Sequence, residues 1–393
     1  MPRRTDNAPI RLLMLTHGPR AAEFARQLAP MGYDVTVVTI SPSNRFRGST
    51  RREGNVLTIQ APDLLWGRMR TGWDPWDTLY RILRTARKTF DLIMSIDPRP
   101  VSILPALVAK YANQVPLVVD WGDWWGHGGT TFERSVGLSH LADCLFSPVE
   151  TFFEEAFARR ADHYVVLSSA LRQRAIGLGV QPNRISRVLP GVELDRVWPR
   201  DKLAARKALG IDPDEWVFGY VGKIFPRDAG FLVNAFARLR KLHPKSRLIV
   251  VSSFKSKLRQ EVDWTNIHET GWLTFDDLQV HVAACDAMWL PLCDSIANRG
   301  RWPWKVCDYL AAGKPVVATT VGDVAGLFTD GAFGVLSRDE PGEFAEAAAS
   351  LMNNLNRDEM GIRARAYAEQ NLSWNTQAGL LHSVFEKTLA AAG

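Results

Sequence analysis

A chain of 393 residues that is 46% hydrophobic and 23% charged has material for two ordinary cores, and is too apolar to stay disordered. No run of about 18 apolar residues occurs, and the opening MPRRTDNAPI lacks the apolar stretch of a signal peptide. A membrane span and export are therefore not expected, and the cytoplasm is the expected location. The net charge of +6 favours acidic partners such as nucleotide phosphates or anionic headgroups, while the absence of zinc-finger spacing, an RNA-recognition signature or an internal repeat argues against nucleic acid.

After a short basic tail, IRLLMLTHGP reads as a buried strand running into a glycine turn, AAEFARQLAPMGY as a helix and DVTVVTI as a second strand. The alternation continues through the strand FDLIMSI, a helix around SILPALVAKYA, the strands PLVVDW and ADHYVVLS, and the helix SALRQRAIGLG. Such alternation predicts a parallel, doubly wound sheet. The plan then repeats with WVFGYVGKI, GFLVNAFARLRKLH, SRLIVVSS, NIHETGWL, FDDLQVHVAAC and DAMWLPLC. Between the two runs, RVLPGVELDRVWPRDKL carries two prolines, a glycine and mixed charge, which places a domain boundary near 196. The late segment SWNTQAGLLHSVFEKTLAA reads as an amphipathic helix that need not belong to the second sheet.

The stretch 299–320, RGRWPWKVCDYLAAGKPVVATT, is punctuated as helix then strand. Pro303 suits a first helical position, Gly313 a helix end, and PVVAT a buried strand. Lys305 and Asp308, three apart, share one face near the helix start, where backbone N–H groups favour an anion such as a phosphate. Cys144, Cys285, Cys293 and Cys307 show no C-x-x-C spacing and read as small core residues.

Taken in order, ADHYVVLSSALRQRAIGLGVQPNRISRVLPGVELDRVWP, YVGKI and WPWKVCDYLAAGKPVVAT resemble the glycosyltransferases of GT-B fold, and among them family 4, the retaining enzymes that use sugar nucleotides. The resemblance implies α/β GT-B architecture, with two doubly wound Rossmann-like domains facing across a cleft. It assigns 1–195 to the acceptor side, 196–375 to the nucleotide-sugar donor side and 376–393 to a helix packing back on the first domain. It implies hexosyl transfer to a glycan, lipid-linked or small-molecule acceptor, with no cofactor and no metal. Two other readings stay open: a sugar-nucleotide 2-epimerase of the same fold, and a non-catalytic nucleotide-sugar binder.

The resemblance also assigns residues. Asp308 stands where the family usually has a glutamate binding the ribose hydroxyls; alternatively it only solvates its helix. Eight positions earlier, where a second glutamate is usual, stands Gly300, so Asn298 or Arg301 would make the lost contact to donor sugar or phosphate unless they form an ordinary polar loop. Lys223, after Gly222 at a strand end, matches the family's first phosphate-binding cation. Its usual basic partner would fall on Asp228 or Ala229, so Arg227 serves only if the loop is shortened. Lys305 joins the donor site or pairs with Asp308.

In the first domain, His17 and Gly18 form the glycine turn where backbone can approach donor or acceptor. In VVDWGDWWGHGG a family histidine is replaced by Gly122, leaving Asp123 and His127 as candidates to contact the reacting sugar. Trp124 and Trp125 would stack on sugar or acceptor, or pack the loop. Residues 66–88 interleave Trp66, Trp73, Trp76 and Tyr80 with Lys and Arg, which suits peripheral membrane contact, a lipid-linked acceptor, or a helix with a solvated basic face.

Overall fold

The computed structural model describes residues 8–41, 46–63, 72–135, 137–253, 258, 262–330 and 332–392. Ile10–Leu15 forms β1, followed by α1 (Arg20–Leu28), β2 (Tyr33–Ile40), β3 (Ser49–Glu53), β4 (Val56–Ala61), α2 (Pro75–Thr85), β5 (Leu92–Ile96), α3 (Pro100–Asn113) and β6 (Leu117–Trp121). Next come α4 (Thr130–Arg134), α5 (Leu138–Ala156), β7 (His163–Val166), α6 (Ser169–Gly177) and β8 (Ile185–Arg187). The strands form one sheet in the order β3-β4-β2-β1-β5-β6-β7-β8, parallel except for β3. Strands β5 and β6 are buried along their whole length, which is why each is mostly apolar without strict alternation, Ser95 and Asp120 being the polar exceptions. The edge strand β3, Ser-Thr-Arg-Arg-Glu, is wholly exposed and charged, which guards the edge against further pairing. Sequence periodicity missed β3 and β4, because neither has a strong apolar run.

The later chain adds α7 (Lys202–Leu209), β9 (Trp216–Val221), α8 (Pro226–Leu242), β10 (Ser246–Val251), β11 (Ile267–Glu269), α9 (Phe275–Ala284) and β12 (Ala287–Leu290). It continues with α10 (Ile296–Gly300), α11 (Lys305–Ala311), β13 (Val316–Thr319), β14 (Gly334–Ser337), α12 (Pro341–Met352), α13 (Arg357–Asn371) and α14 (Trp374–Ala392). A second, wholly parallel sheet runs β11-β10-β9-β12-β13-β14. Side-chain caps start many of its helices: Asp201 accepts from the Ala204 N–H, Thr274 from Asp277 and Ser295 from Asn298.

Packing divides the chain into two units. One comprises 1–127, 146–189 and 374–393; the other comprises 128–145 and 190–373. The division thus falls at Leu189–Pro190 and Ser373–Trp374, where the sequence reading put 195/196 and 375/376, and it assigns the excursion 128–145 to the second unit. The reason for the earlier first boundary is local: the Pro190 and Gly191 carbonyls accept from the Cys307 thiol and the Trp304 indole (3.0 Å), which ties this turn to α11. Helix α14 is part of the first unit. Trp374 packs edge-on against Phe24 at 5.2 Å, and Gln377 accepts the Leu189 N–H at 2.7 Å.

The segment 66–88 is described from residue 72, so Trp66 lies outside the described residues. Its helix α2 does not present a uniformly solvated basic face. Arg81 is fully buried, pairs with Asp77 at 2.6 Å, and donates to the carbonyls of Thr16 (2.7 Å) and Val38 (3.2 Å). Trp73 is a packing residue, edge-on to Phe146 and Phe153. Trp76, Leu79 and Leu83 are exposed.

Because Trp374 is buried against Phe24, Trp374→Ala should cost about 3–5 kcal/mol. Urea unfolding followed by circular dichroism is expected to show a lower midpoint in the transition of the first unit.

Candidate functional site

All strands of a parallel sheet end on one edge, and ligands of open α/β sheets bind beyond those carboxyl ends. In the first unit the loops after β1, β5 and β6 meet there. The sequence reading named His17 and Gly122 but overlooked the residue between them, Asp97. Asp97 follows β5 with φ +64, in the left-handed region that a non-glycine residue seldom occupies. Its carboxylate accepts from the Gly122 N–H and the Trp125 indole N–H, each at 3.2 Å, and lies 3.5 Å from His17 Nε2. Burial first, then the charges of Asp123 and Asp120, push the Asp97 carboxyl up to about 7. Burial also raises Asp120 to about 6, opposed by Arg20 at 3.1 Å.

The tryptophan loop is organised by Glu154 of α5. This carboxylate, 2% exposed, accepts from the Trp121 indole (3.0 Å), the N–H groups of Trp125 (2.7 Å) and Gly126 (2.6 Å), and Arg174 (2.9 Å). Desolvation raises its pKa and the donors oppose that. Trp125 is buried under the Arg99 guanidinium, 3.8 Å from its ring, and Trp124 lies under Arg174 at 4.1 Å. Trp125 is therefore a packing residue, and one face of Trp124 is already covered. His17 is likewise largely buried, edge-on to Trp125, instead of standing exposed on its turn. Gly18 accepts a Cβ without contact, so its backbone is the open part of that turn. Asp123 is half-buried; His127 is exposed, its N–H held by Thr151 at 2.9 Å.

In the second unit, β9 ends at Gly222, whose φ of +90 turns the chain so that Lys223 projects exposed. The Lys223 carbonyl is held by the Tyr220 hydroxyl at 3.0 Å and by Lys305 Nζ at 3.2 Å. Lys305 also bonds the Tyr220 hydroxyl and lies 3.7 Å over its ring, which ties its ammonium to the strand end. Helix α11 begins at Lys305, with Pro303 just outside it, its carbonyl taking the Val306 N–H at 3.0 Å. This corrects the first-turn placement of Pro303. Gly313 does follow the helix end, at φ +65.

Asp308 is exposed on α11, yet protein crowds it and Glu193 lies near. Crowding first, then Glu193, push its carboxyl up to about 7, and water at the exposed side chain screens part of that push. Asn298 and Arg301 each make bonds within the unit. Their partner is Asp228, 2% exposed, which accepts from the Asn298 amide (3.0 Å), Arg301 (3.3 Å) and the Cys293 N–H (2.9 Å). Asn298 is itself buried and also donates to the Cys293 carbonyl at 2.8 Å. Arg227 is exposed and donates to the Asp294 carbonyl at 3.2 Å. Glu133 of α4, absent from the sequence reading, faces Asp228, Arg227 and Arg301; burial and Asp228 raise its pKa. It brings a carboxylate to the neighbourhood in which Gly300 lacks one.

Two family models match: a glycosyl transferase 4-like domain over residues 16–191 and a glycosyl transferases group 1 domain over 215–354, together most of the chain. The chain belongs to the GT-B glycosyltransferases and resembles those of family 4. Among curated relatives, D-inositol 3-phosphate glycosyltransferase 2 of Catenulispora acidiphila is 31% identical over 224 residues, 54% of this chain and 52% of that protein. The Mycobacterium bovis D-inositol 3-phosphate glycosyltransferase is 31% identical over 253 residues, 60% of this chain and 51% of that protein. Each match thus spans about half the length of the relative. Sucrose-phosphate synthase of Thermosynechococcus elongatus superposes with a TM-score of 0.73 at 16% identity, covering 98% of this chain and 100% of that one. Anabaena HepE in complex with UDP-glucose gives 0.67 at 17%, covering 96% and 100%.

In this GT-B chain the sequence-selected residues therefore separate. Lys223, Arg227, Lys305 and Asp308 stand at the carboxyl edge of the second sheet, while Asn298 and Arg301 build its support. Among the described residues no group of three His, Cys, Asp or Glu side chains is placed to hold a metal ion, and no helix is long and apolar enough to cross a membrane. The four cysteines are free thiols.

Asp97 offers a test by pH. Its folded pKa lies above that of an unfolded aspartate, so its contribution to stability is fully present below about pH 4 and is lost as pH rises through about 7. Asp97→Asn keeps a residue tolerant of left-handed backbone and removes this ionisation. The variant should gain about 1–3 kcal/mol relative to wild type between pH 5 and pH 8. Thermal unfolding at both values checks this.

Proposed function

We propose that this chain transfers a hexose from a nucleotide-sugar donor, bound by its second unit, to a hydroxyl acceptor, with retention at the anomeric carbon and without a divalent metal. The observation that carries the reading is Lys223: exposed at the carboxyl end of a central parallel strand, its backbone fixed by Tyr220 and Lys305, its ammonium without a partner among the described residues. Such a cation is preorganised for the negative charge that grows on a departing diphosphate. Arg227 begins the next helix and adds a second cation; Asp308 offers an acceptor for a ribose diol. Lys305 acts through the Lys223 carbonyl as a positioning residue, and Asn298 and Arg301 act through Asp228. On the first unit, the Gly18 backbone, His17, Asp123 and His127 are left as contacts for sugar or acceptor, joined by Asp97.

The relatives named for inositol phosphate and the neighbour bound to UDP-glucose make a UDP-hexose and a phosphorylated polyol the first pair to assay. Peripheral contact with an anionic membrane would use α2, where Trp76, Leu79 and Leu83 are exposed near Arg84, Arg87 and Lys88.

The decisive experiment is a screen of nucleotide sugars scored for free nucleotide, glycoside and epimer. Transfer supports the proposal, epimer formation replaces it with the 2-epimerase, and binding without turnover across the panel replaces it with a binding protein. With an active pair in hand, Lys223→Ala with Arg227→Ala should depress kcat more than donor affinity, because the cations act on charge developed in the transition state. Asp308→Ala should instead weaken donor binding by about 1–3 kcal/mol, the worth of hydrogen bonds to a bound diol. Equal losses from both changes would mark ordinary ground-state contacts.

Metal independence is tested separately. After exhaustive chelation, turnover should persist, since Lys223 and Arg227 take the place of a cation on the diphosphate. Activity that vanishes on chelation and returns with magnesium alone would reassign Asp123, Asp294 and Asp308 as metal ligands.

A further inference from the structure

The second unit holds a cavity of about 610 Å3 at the other edge of its sheet. Trp216 begins β9, Asp286 precedes β12 and Pro315 precedes β13, and all three line it, so it opens at the amino ends of the central strands, away from Lys223. Six cations line it: Arg200, Lys202, Arg206, Lys314, Arg357 and Arg365. Its four acids do not balance them. Glu215 is held by Arg247 at 2.5 Å, and Asp286 by Arg206 at 2.5 Å and Lys202 at 2.9 Å. Asp214 and Asp358 are exposed.

Three of the cations have no carboxylate partner among the described residues. Lys314, 8% exposed, donates to the carbonyls of Ala283 (2.8 Å) and Cys285 (2.7 Å), which leaves its third N–H unused. Arg357 donates to the Met352 carbonyl and lies over the Trp216 ring at 4.6 Å. Arg200 has a buried Nε with no hydrogen-bond partner, and its guanidinium lies 4.5 Å from the Trp198 ring. Burying an ammonium whose hydrogen bonds go to carbonyls is costly, and desolvation lowers the pKa of Lys314 although Asp286 opposes it; an anion in the cavity would offset that cost.

We propose that this cavity is a second ligand site, which takes a small molecule bearing a phosphate group. A phosphate presents several acceptor oxygens to two guanidiniums and an ammonium at once, which a single carboxylate does less well. The volume falls in the range of small-molecule sites, and Trp216 with Pro199, Pro213 and Pro315 offers apolar surface to the body of the ligand. The proposal does not depend on the transfer activity, because none of these residues belongs to the candidate donor site.

The test titrates the full chain with inorganic pyrophosphate and with a hexose monophosphate by calorimetry. Three proteins are compared: wild type, Arg200→Ala with Arg357→Ala, and Lys223→Ala with Arg227→Ala. Saturable binding to wild type, at least tenfold weaker in the first double variant and unchanged in the second, is expected. Lys314→Met, which keeps the length of the side chain, should show the same loss if the first variant fails to fold. Tighter binding of the hexose phosphate than of pyrophosphate would identify a phosphorylated metabolite and not the bare anion as the occupant. No saturable binding to wild type in the millimolar range overturns the proposal, as does a loss confined to the Lys223 and Arg227 variant, which would put the anion at the strand ends.

Discussion

Burying a carboxylate costs several kcal/mol unless donors surround it, and both units hold their strand-end loops by meeting that requirement. In the first, Glu154 gathers the Trp121 indole, two backbone N–H groups and Arg174 about one carboxylate. In the second, Asp228 gathers Cys293, Asn298 and Arg301. Each acid sits on a helix and takes bonds from the segment that follows a strand: Trp125 and Gly126 after β6, Cys293 and Arg301 after β12. The loops, which carry chemistry in folds of this kind, are thereby held to rigid elements. Removing either acid would leave several donors unmet at once, which is why these carboxylates matter more to the site than many residues that face solvent.

The same economy shapes the cations. Lys305 and Arg301 read in sequence as phosphate binders, but the structure gives their charge to Tyr220, the Lys223 carbonyl and Asp228. What remains at the carboxyl edge of the second sheet is an exposed Lys223 on a fixed backbone, an Arg227 held through one bond to a carbonyl, and Asp308. A site with two cations placed by a shell of other charged groups is better preorganised than one with five loose ones, since less side-chain freedom is lost when a ligand arrives. At the opposite edge the balance is reversed: Arg200, Lys314 and Arg357 are left without carboxylates. The sequence placed no emphasis there, because those three residues are scattered along the chain and follow no motif.

The first unit shows how an unusual backbone gathers a site. Asp97 accepts the left-handed conformation and so aims its carboxylate between the ends of β1 and β6, at His17, Gly122 and Trp125. A histidine that periodicity left on an open turn becomes half of a buried contact. The glycine standing at the family's histidine position serves as a donor to Asp97; a Cβ there would lie 3.3 Å from its oxygen.

Much of the fold was legible in the sequence for a physical reason. Strands covered on both faces must be mostly apolar, and helices between them must alternate every three to four residues, so β1, β2, β5, β6, β9, β10, β12 and β13 announce themselves, as does the helix–strand punctuation of 299–320. The family likeness was also legible, because motifs such as YVGKI and WPWKVCDYLAAGKPVVAT are local runs. Partnership was not. Whether Asn298 faces a ligand or Asp228, which indoles are covered by guanidiniums, that Arg81 is buried and not solvated, and that Asp97 and Glu133 belong with residues far from them depend on contacts between segments distant in sequence. Charge type and spacing determined what each side chain can bind; only the tertiary structure decided which partner each one meets, because burial and the donors at hand, and not the neighbouring letters, set the cost of leaving a charge alone.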